Sequence, residues 1–240
     1  MRDAGSRTTG DCNRHGFGNR TLACSSIRFS GGPCNGDRTS KSTSALIEQS
    51  HHNEGGSCLP LALDVSDEQS VVEGLKTLSG GKVDILINNA GVTSFKDFSD
   101  MSVREFDAII DTNLRGLFLM TRQVLPGMLK RRKGIIVNIL SFAAKTVYTG
   151  SSVYSASKAG AEALMNGLRA EVRGRGIKVV NVFPGAVETP MWSPGARKRF
   201  RNDMMNANEL ADLVFHSTLH ANTMMLEEIV MRPQIGDLTL

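Results

Sequence analysis

From about residue 59 onward, short apolar runs alternate with longer amphipathic segments, and this alternation limits the chain to few folds. The apolar runs have the length and β-branched content of buried strands, and the amphipathic segments have the length of helices. Strands are predicted over residues 59–65, 83–87, 135–139, 177–183 and 228–231. Strands separated by such helices favour a parallel sheet that is covered on both faces. We therefore predict an α/β fold with a doubly wound parallel sheet, in a single domain over residues 59–240.

Two capping boxes mark predicted helix starts. Ser66 with Gln69 opens a helix to about residue 78, and Ser102 with Glu105 opens one that continues through residue 118. Pro126 is expected to kink or divide this second helix. Further helices are predicted over residues 153–172 and from Asn206 or Asn208 to about residue 219.

The composition is that of an ordinary globular domain. The chain has 240 residues, of which 40% are hydrophobic and 22% are charged. Its apolar runs are too short to span a bilayer and the N-terminus lacks a signal-peptide pattern, so we expect a cytoplasmic protein without membrane contact. The cysteines lack the paired spacing of a zinc site, so no metal is expected. They are Cys12, Cys24, Cys34 and Cys58.

The net charge of +4 comes largely from two basic clusters, at residues 130–133 and 197–201. The first closes a predicted helix, where cations oppose the macrodipole. No nucleic-acid-binding motif accompanies it, so a nucleic-acid-binding function rests on charge alone and is not expected. The second cluster lies in a predicted loop and could attract an anionic cofactor or substrate.

Distinctive residues follow four of the predicted strands directly: Asp64, Asn88, Ser141 and Pro184. In an open α/β sheet, ligands bind beyond the carboxyl ends of the strands. The order of the sequence therefore predicts a ligand site at one edge of the sheet.

Tyr154 and Lys158 are spaced to share one face of a helix, because they are four residues apart. A phenol beside a fixed cation can donate and accept a proton near neutral pH. In chain order, the residues around this pair are Asn88-Asn89-Ala90-Gly91, Asn113, Ser141, Tyr154-x-x-x-Lys158, Pro184-Gly185 and Thr189. Their combination favours a site for proton transfer.

This series resembles the short-chain dehydrogenase/reductase family, in particular its bacterial oxidoreductases, from about Leu61 to the C-terminus. The resemblance implies a Rossmann-like fold and an NAD(P)-dependent enzyme that interconverts a carbonyl and a secondary alcohol. Tyr154 would be the general acid and base, with its pKa lowered by Lys158 in a partly shielded pair and with help from the positive nicotinamide ring. Ser141 would hydrogen-bond the substrate oxygen, and Asn113 would hold a water that links Lys158 to solvent.

The same resemblance implies a set of cofactor-binding residues. Lys158 would bind the hydroxyls of the nicotinamide ribose. Of the two possible cofactors, NADP is weakly favoured over NAD. The implied residues are Asp64 and Val65 near the adenine, Asn88, Ala90 and Gly91 beneath the adenosine ribose, and Pro184, Gly185 and Thr189 around the nicotinamide, together with Tyr154 and Lys158.

The resemblance also implies a substrate and an assembly. Met191, Trp192 and Phe200 lie where the family has a substrate lid, which suggests a small or medium hydrophobic carbonyl compound; core packing under a loop is the alternative. A homodimer or homotetramer would form through the helices that carry Asn113 and Tyr154.

Residues 1–58 match the family poorly. They are poor in apolar residues, and no valine precedes Val65, so the first eight residues do not suit a buried strand. Gly10, Gly16 and Gly18 resemble the family's glycine-rich, phosphate-binding turn, although with altered spacing. Either this segment comes from a shifted reading frame, or it is a divergent or disordered N-terminus, and the βαβ unit is then incomplete. The alternative function is therefore a non-catalytic relative that does not hold the dinucleotide.

Overall fold

The computed structural model describes residues 22–25, 61, 63–77, 82–219 and 224–238 of the chain. Within this part, five strands form one sheet in which spatial order follows chain order, and every neighbouring pair is parallel. The predicted parallel α/β sheet is confirmed. The strands are β1 (Leu22–Ser25), β2 (Ile85–Asn88), β3 (Gly134–Ile139), β4 (Ile177–Pro184) and β5 (Glu228–Met231).

Helices cover both faces of this sheet. The described helices are α1 (Glu68–Lys76), α2 (Val103–Ile110), α3 (Leu117–Arg131), α4 (Ser152–Val172), α5 (Pro194–Phe200) and α6 (Ala207–Ser217). On one face, Leu86, Ile136 and Val179 of the strands share an apolar cluster with residues of α1, α3 and α4. On the other face, Val137 and Val180 pack against Val214 of α6.

The predicted strand over residues 59–65 is not found at Leu61 or over residues 63–65, while its other members lie outside the described residues. Among the described strands, β1 forms the edge of the sheet on that side, so this segment has no described neighbour with which to form a ladder. Leu61 and Leu63 pack over α1 instead, because a Cβ placed on Gly74 would lie 3.4 and 3.1 Å from their Cδ2 atoms.

The start of α1 is also set differently from the prediction. Asp67 is the N-cap, and its carboxylate accepts a hydrogen bond of 2.6 Å from the Ser70 backbone N–H. Ser66 is instead bonded back to Asp64, since its N–H and hydroxyl both donate to Asp64 Oδ1, at 2.9 and 2.6 Å. By contrast, the predicted capping box of Ser102 and Glu105 is confirmed at the start of α2.

The helix that follows this box is continuous but not uniform. Between α2 and α3, residues Asp111–Gly116 form a π-helical turn, a feature that often marks functional sites. Pro126 lies within α3 and does not divide it, since Val124 and Met128 on either side anchor the helix in the core. The remaining predicted strands and helices are found to within about two residues, whereas α5 was predicted as a loop.

Candidate active site

The carboxyl ends of β2, β3 and β4 carry Asn88, Ser141 and the pair Pro184-Gly185, as predicted from the sequence. Adjacent parallel strands in register bring these ends to one edge of the sheet. Helix α4 crosses the same edge with its first two turns, which carry Tyr154 and Lys158. This edge is the candidate active site.

Tyr154 and Ser141 interact directly. The phenol is buried, with 7% of the residue exposed, and burial raises the pKa of Tyr154 above its usual value. A hydrogen bond with the Ser141 side chain acts in the opposite direction and lowers that pKa by a smaller amount. Ser141 is itself held by the turn that follows it, because its hydroxyl accepts a 3.1 Å hydrogen bond from the Ala143 N–H. The pair is thus fixed, and the phenol retains its proton at neutral pH.

Lys158 lies beneath Tyr154 on the same helix. Its Nζ donates to the Ile139 carbonyl oxygen at 2.9 Å and lies 5.8 Å from the centre of the Tyr154 ring. Burial lowers the pKa of Lys158 to about 8, so the ammonium remains mostly protonated at neutral pH. Burial raises the pKa of Tyr154 by more than the hydrogen bond with Ser141 lowers it. A lowering of that pKa by Lys158 together with the positive nicotinamide ring stays a prediction.

Asn113 joins three parts of the site from the middle of the π-helical turn. Its Nδ2 donates to Ser157 Oγ of α4 and to the Val92 carbonyl, both at 2.9 Å. Its Oδ1 accepts from the Val92 N–H at 2.8 Å. Both side-chain donors are therefore engaged by the protein, and a water at Asn113 would need its backbone carbonyl or the second lone pair of Oδ1.

Gly91 lies close to both Asn113 and Lys158. A Cβ at this position would lie 3.4 Å from Asn113 Oδ1 and 3.5 Å from Lys158 Nζ. A methyl group here would make ordinary contacts with these two groups, and Lys158 is itself buried.

Asn88 begins a buried row of amides that the sequence prediction missed. Asn88, Asn138 and Asn181 occupy matching positions on β2, β3 and β4, and their side chains are linked by hydrogen bonds of 2.9 and 3.0 Å. The row continues through Asn166 to Arg169 on α4. Three asparagines at equivalent strand positions were the available signal. Since buried amides need partners, this row fixes the end of β2 from which the Asn88–Gly91 turn starts.

The other predicted cofactor residues have structural contacts of their own. Asp64 accepts hydrogen bonds from Ser66. Val65 is buried against Gly116, because a Cβ added to Gly116 would lie 2.7 Å from Val65 Cγ2. The N–H of Gly185 donates to the Met231 carbonyl at 2.7 Å, which ties the end of β4 to β5. The Thr189 carbonyl accepts from the Trp192 N–H at 3.2 Å. Gly10, Gly16 and Gly18 lie outside the described residues and precede β1 in the chain.

A row of three aromatic rings borders the site. The ring of Phe95, which the sequence prediction did not single out, lies 6.2 Å from the ring of Tyr154, centre to centre. On its other side, Trp192 stacks on Phe95 at 5.9 Å with an interplanar angle of 23°. Trp192 was predicted to lie in a lid or a core, and these contacts bring it to the edge that carries Tyr154.

A parallel α/β sheet with a tyrosine, a lysine and a serine gathered at its carboxyl edge is the arrangement that the resemblance to short-chain dehydrogenases implies. The chain belongs to this short-chain dehydrogenase family, whose sequence model matches residues 34–199. The match begins within the first 58 residues, which were predicted to fit the family poorly. The predicted family membership is confirmed.

Individual relatives agree with this assignment. A sepiapterin reductase of Chlorobaculum tepidum is 35% identical over 66% of this chain and 64% of the relative. A 3-oxoacyl-acyl-carrier-protein reductase of Thermotoga maritima is 36% identical over 65% of this chain and 64% of the relative. The chain thus spans just under two thirds of the length of these two relatives. A solved metagenomic short-chain oxidoreductase in complex with NADP is 28% identical, with a TM-score of 0.68 over 79% of this chain and 80% of that one.

Within the part of the chain that the structure describes, no helix is both long enough and apolar enough to cross a membrane. The same part contains no group of three or more His, Cys, Asp or Glu side chains placed to hold a metal ion.

Proposed function

We propose that this protein is an NAD(P)-dependent oxidoreductase that interconverts a carbonyl compound and a secondary alcohol, with Tyr154 as the general acid and base. The observation that carries this proposal is the buried phenol of Tyr154, hydrogen-bonded to Ser141 and lying over the ammonium of Lys158. The family relatives named as reductases support the same class of reaction.

The residues present fit a nicotinamide cofactor. One proton of the Lys158 ammonium is taken by Ile139, so two donors remain for the ribose hydroxyls. The Gly91 turn passes close to this ammonium, since a Cβ there would lie 3.5 Å from Lys158 Nζ. Asn88, Ala90, Gly91, Pro184, Gly185 and Thr189 would line the cofactor, with Asp64 and Val65 towards the adenine. When bound, the nicotinamide would supply or accept the hydride.

In the direction of carbonyl reduction, the Tyr154 hydroxyl would protonate the substrate oxygen while the Ser141 hydroxyl donates a hydrogen bond to it. The oxygen gains one proton and Tyr154 becomes a phenolate. The Lys158 ammonium, in a site shielded from water, would stabilise that phenolate until solvent returns a proton. Because burial raises its pKa, the Tyr154 phenol carries its proton at neutral pH before each turnover. A general acid works best with a pKa near the working pH, so stabilisation of the phenolate by Lys158 is needed for the transfer.

We propose NADP as the preferred cofactor and a homodimer or homotetramer as the assembly. The NADP complex of the metagenomic relative supports the first choice. The second is supported by an open apolar cleft on the outer surface of the helices that carry Asn113 and Tyr154. Its lining includes Ile110, Leu114, Phe118, Gly160 and Leu164.

Cofactor binding by the full chain tests this proposal. Trp192 is the single tryptophan, so energy transfer from its fluorescence to NADPH or NADH reports binding without turnover. We expect saturable transfer and a higher melting temperature with NADPH, and oxidation of NADPH at 340 nm when a ketone is added. Absence of binding to both cofactors would favour the non-catalytic alternative.

A further inference from the structure

Phe95 and Trp192, here called the aromatic wall, continue from the ring of Tyr154 as a row of aromatic contacts. Phe95 stands between the other two rings, 6.2 Å from Tyr154 and 5.9 Å from Trp192. Nearly half of Phe95 is exposed, at 49%. A ring with this much free surface next to a buried phenol is available for contact with whatever the phenol protonates.

The chain around Phe95 is held in place from two sides. The backbone N–H of Lys96 donates to the Gly150 carbonyl at 2.8 Å, in the segment that leads into α4. The Lys96 ammonium pairs with Glu105 of α2 at 2.6 Å. The hydrogen bond from Lys96 and those from Ser102 lower the pKa of Glu105 to about 2, so this carboxylate is charged at neutral pH. The wall therefore has a defined position relative to Tyr154.

The two members of the wall come from separate segments of the chain. Phe95 follows the turn after β2, and Trp192 precedes α5, whose first turn is capped by Ser193. The stack of 23° between them brings two flat faces together at the edge of the site. A third flat group can extend such an arrangement, since aromatic rings prefer offset-stacked or tilted neighbours.

We propose that the aromatic wall selects carbonyl substrates that carry a flat aryl group on the carbon of the carbonyl. This inference rests on the proposed function and specifies its substrate class. A saturated ring of similar size is thicker and has no π face. Its apolar surface can be buried against the aromatic wall, but it cannot stack on the rings of Phe95 and Trp192. The contact favours the aryl substrate by about three- to tenfold in kcat/KM.

Three 3-oxo esters that differ in one group isolate this effect. Ethyl benzoylacetate has a phenyl group on the ketone carbon, ethyl 3-cyclohexyl-3-oxopropanoate has a saturated ring, and ethyl 3-oxohexanoate has a propyl chain. With NADPH, the full-length protein should reduce the phenyl ester about three- to tenfold more efficiently than the cyclohexyl ester. Equal kcat/KM values for these two esters would contradict the proposed selection by the aromatic wall and leave the proposed function intact.

Variants locate the preference in the wall. Phe95→Leu keeps apolar bulk but loses the ring, so the ratio of phenyl to cyclohexyl kcat/KM should fall to about one, mainly through KM. Phe98→Leu is the matched control: this ring is three residues away and 79% exposed, and its loss should leave the ratio unchanged. A ratio that survives in both Phe95→Leu and Trp192→Leu would contradict the proposal.

Trp192 fluorescence distinguishes an error in the proposed substrate class from an error in the proposed function. If no ester is reduced, the proposed function fails, but Trp192 still reports whether a ligand reaches the wall. Saturable quenching by ethyl benzoylacetate, weakened at least about threefold in Phe95→Leu, would support the wall. Equal responses to the phenyl and cyclohexyl esters would overturn it.

Discussion

Lys158 is a buried ammonium in the middle of the candidate active site, and burial lowers its pKa to about 8. Burial acts on Tyr154 in the opposite sense and raises the pKa of the phenol. Each shift disfavours the charged form of its group, as expected where water is excluded. Since the phenol holds its proton more tightly than the ammonium does, the ammonium is the first of the two groups to lose its charge as the pH rises.

We therefore predict that the rate of carbonyl reduction falls above about pH 8, with Lys158 rather than Tyr154 responsible. Below pH 8 the ammonium is charged and can support the phenolate; above it, this support is lost. The variant Lys158→Arg keeps its charge at all these pH values, so the alkaline fall in kcat/KM should move upward or disappear. A fall at the same pH in this variant would assign it to another group.

The same shift has a defined sign for stability. The pKa of Lys158 is lower in the folded protein than in the unfolded chain, so folding is disfavoured by this group below pH 8. That disadvantage disappears as the pH rises from about 8 to the ordinary lysine value.

At the scale of elements, the turn between α4 and β4 depends on one glycine. Gly176 adopts the left-handed conformation, with φ of 79°, and a Cβ there would lie 2.2 Å from the Arg132 carbonyl oxygen. This close contact joins the end of α3 to the start of β4. Gly174, two residues earlier, has no atom within 4 Å of an added Cβ.

Gly176→Ala should therefore lower the free energy of unfolding by at least about 2 kcal/mol, from left-handed strain and the clash together. The melting temperature should fall by about 4–8 °C. Gly174→Ala is the control, and it should change stability by less than about 0.5 kcal/mol. Thermal or urea unfolding measures both, and equal effects of the two variants would contradict this account of the turn.

Features that depend on short stretches of sequence were predictable. The strands β2 to β5, the box at Ser102 and the Tyr154–Lys158 spacing all come from local patterns of apolar residues, caps and helix period. The N-cap of α1 was misassigned because Ser66 and Asp67 are adjacent candidates, and hydrogen bonds to Asp64 decide between them.

Features that depend on distant residues were not predictable in the same way. The row of Asn88, Asn138 and Asn181 exists because three strands are in register, and a single strand does not contain that information. The contact of Phe95 with Trp192 joins residues far apart in the chain. The raised pKa of Tyr154 follows from how deeply tertiary packing buries it.

At the scale of the whole molecule, the outer surface of α3 and α4 leaves large apolar side chains in contact with solvent. Phe118 is 43% exposed and Leu164 is 37% exposed. They line one cleft with Ile110, Leu114 and Gly160. Exposed apolar surface of this kind is typical of an interface between subunits.

We predict that the protein is a dimer or tetramer in solution and that Phe118→Lys with Leu164→Lys converts it to a smaller species. Two like charges on a self-complementary surface face each other across a two-fold axis and repel. Light scattering after size-exclusion chromatography gives the mass, with Phe98→Lys as an exposed control outside this cleft. A monomeric wild-type protein, or a double variant with unchanged mass, would contradict the proposed assembly.

The most direct test of the central claim is to compare Tyr154→Phe with the wild-type protein in NADPH oxidation at 340 nm with a ketone substrate, alongside NADPH binding by Trp192 fluorescence. The change removes one hydroxyl and leaves the ring that contacts Phe95. If Tyr154 is the proton donor, kcat falls by about 10²- to 10⁴-fold, while the affinity for NADPH stays within about twofold, because a twofold change is only ~0.4 kcal/mol. A variant that binds NADPH normally and retains wild-type turnover would contradict the claim.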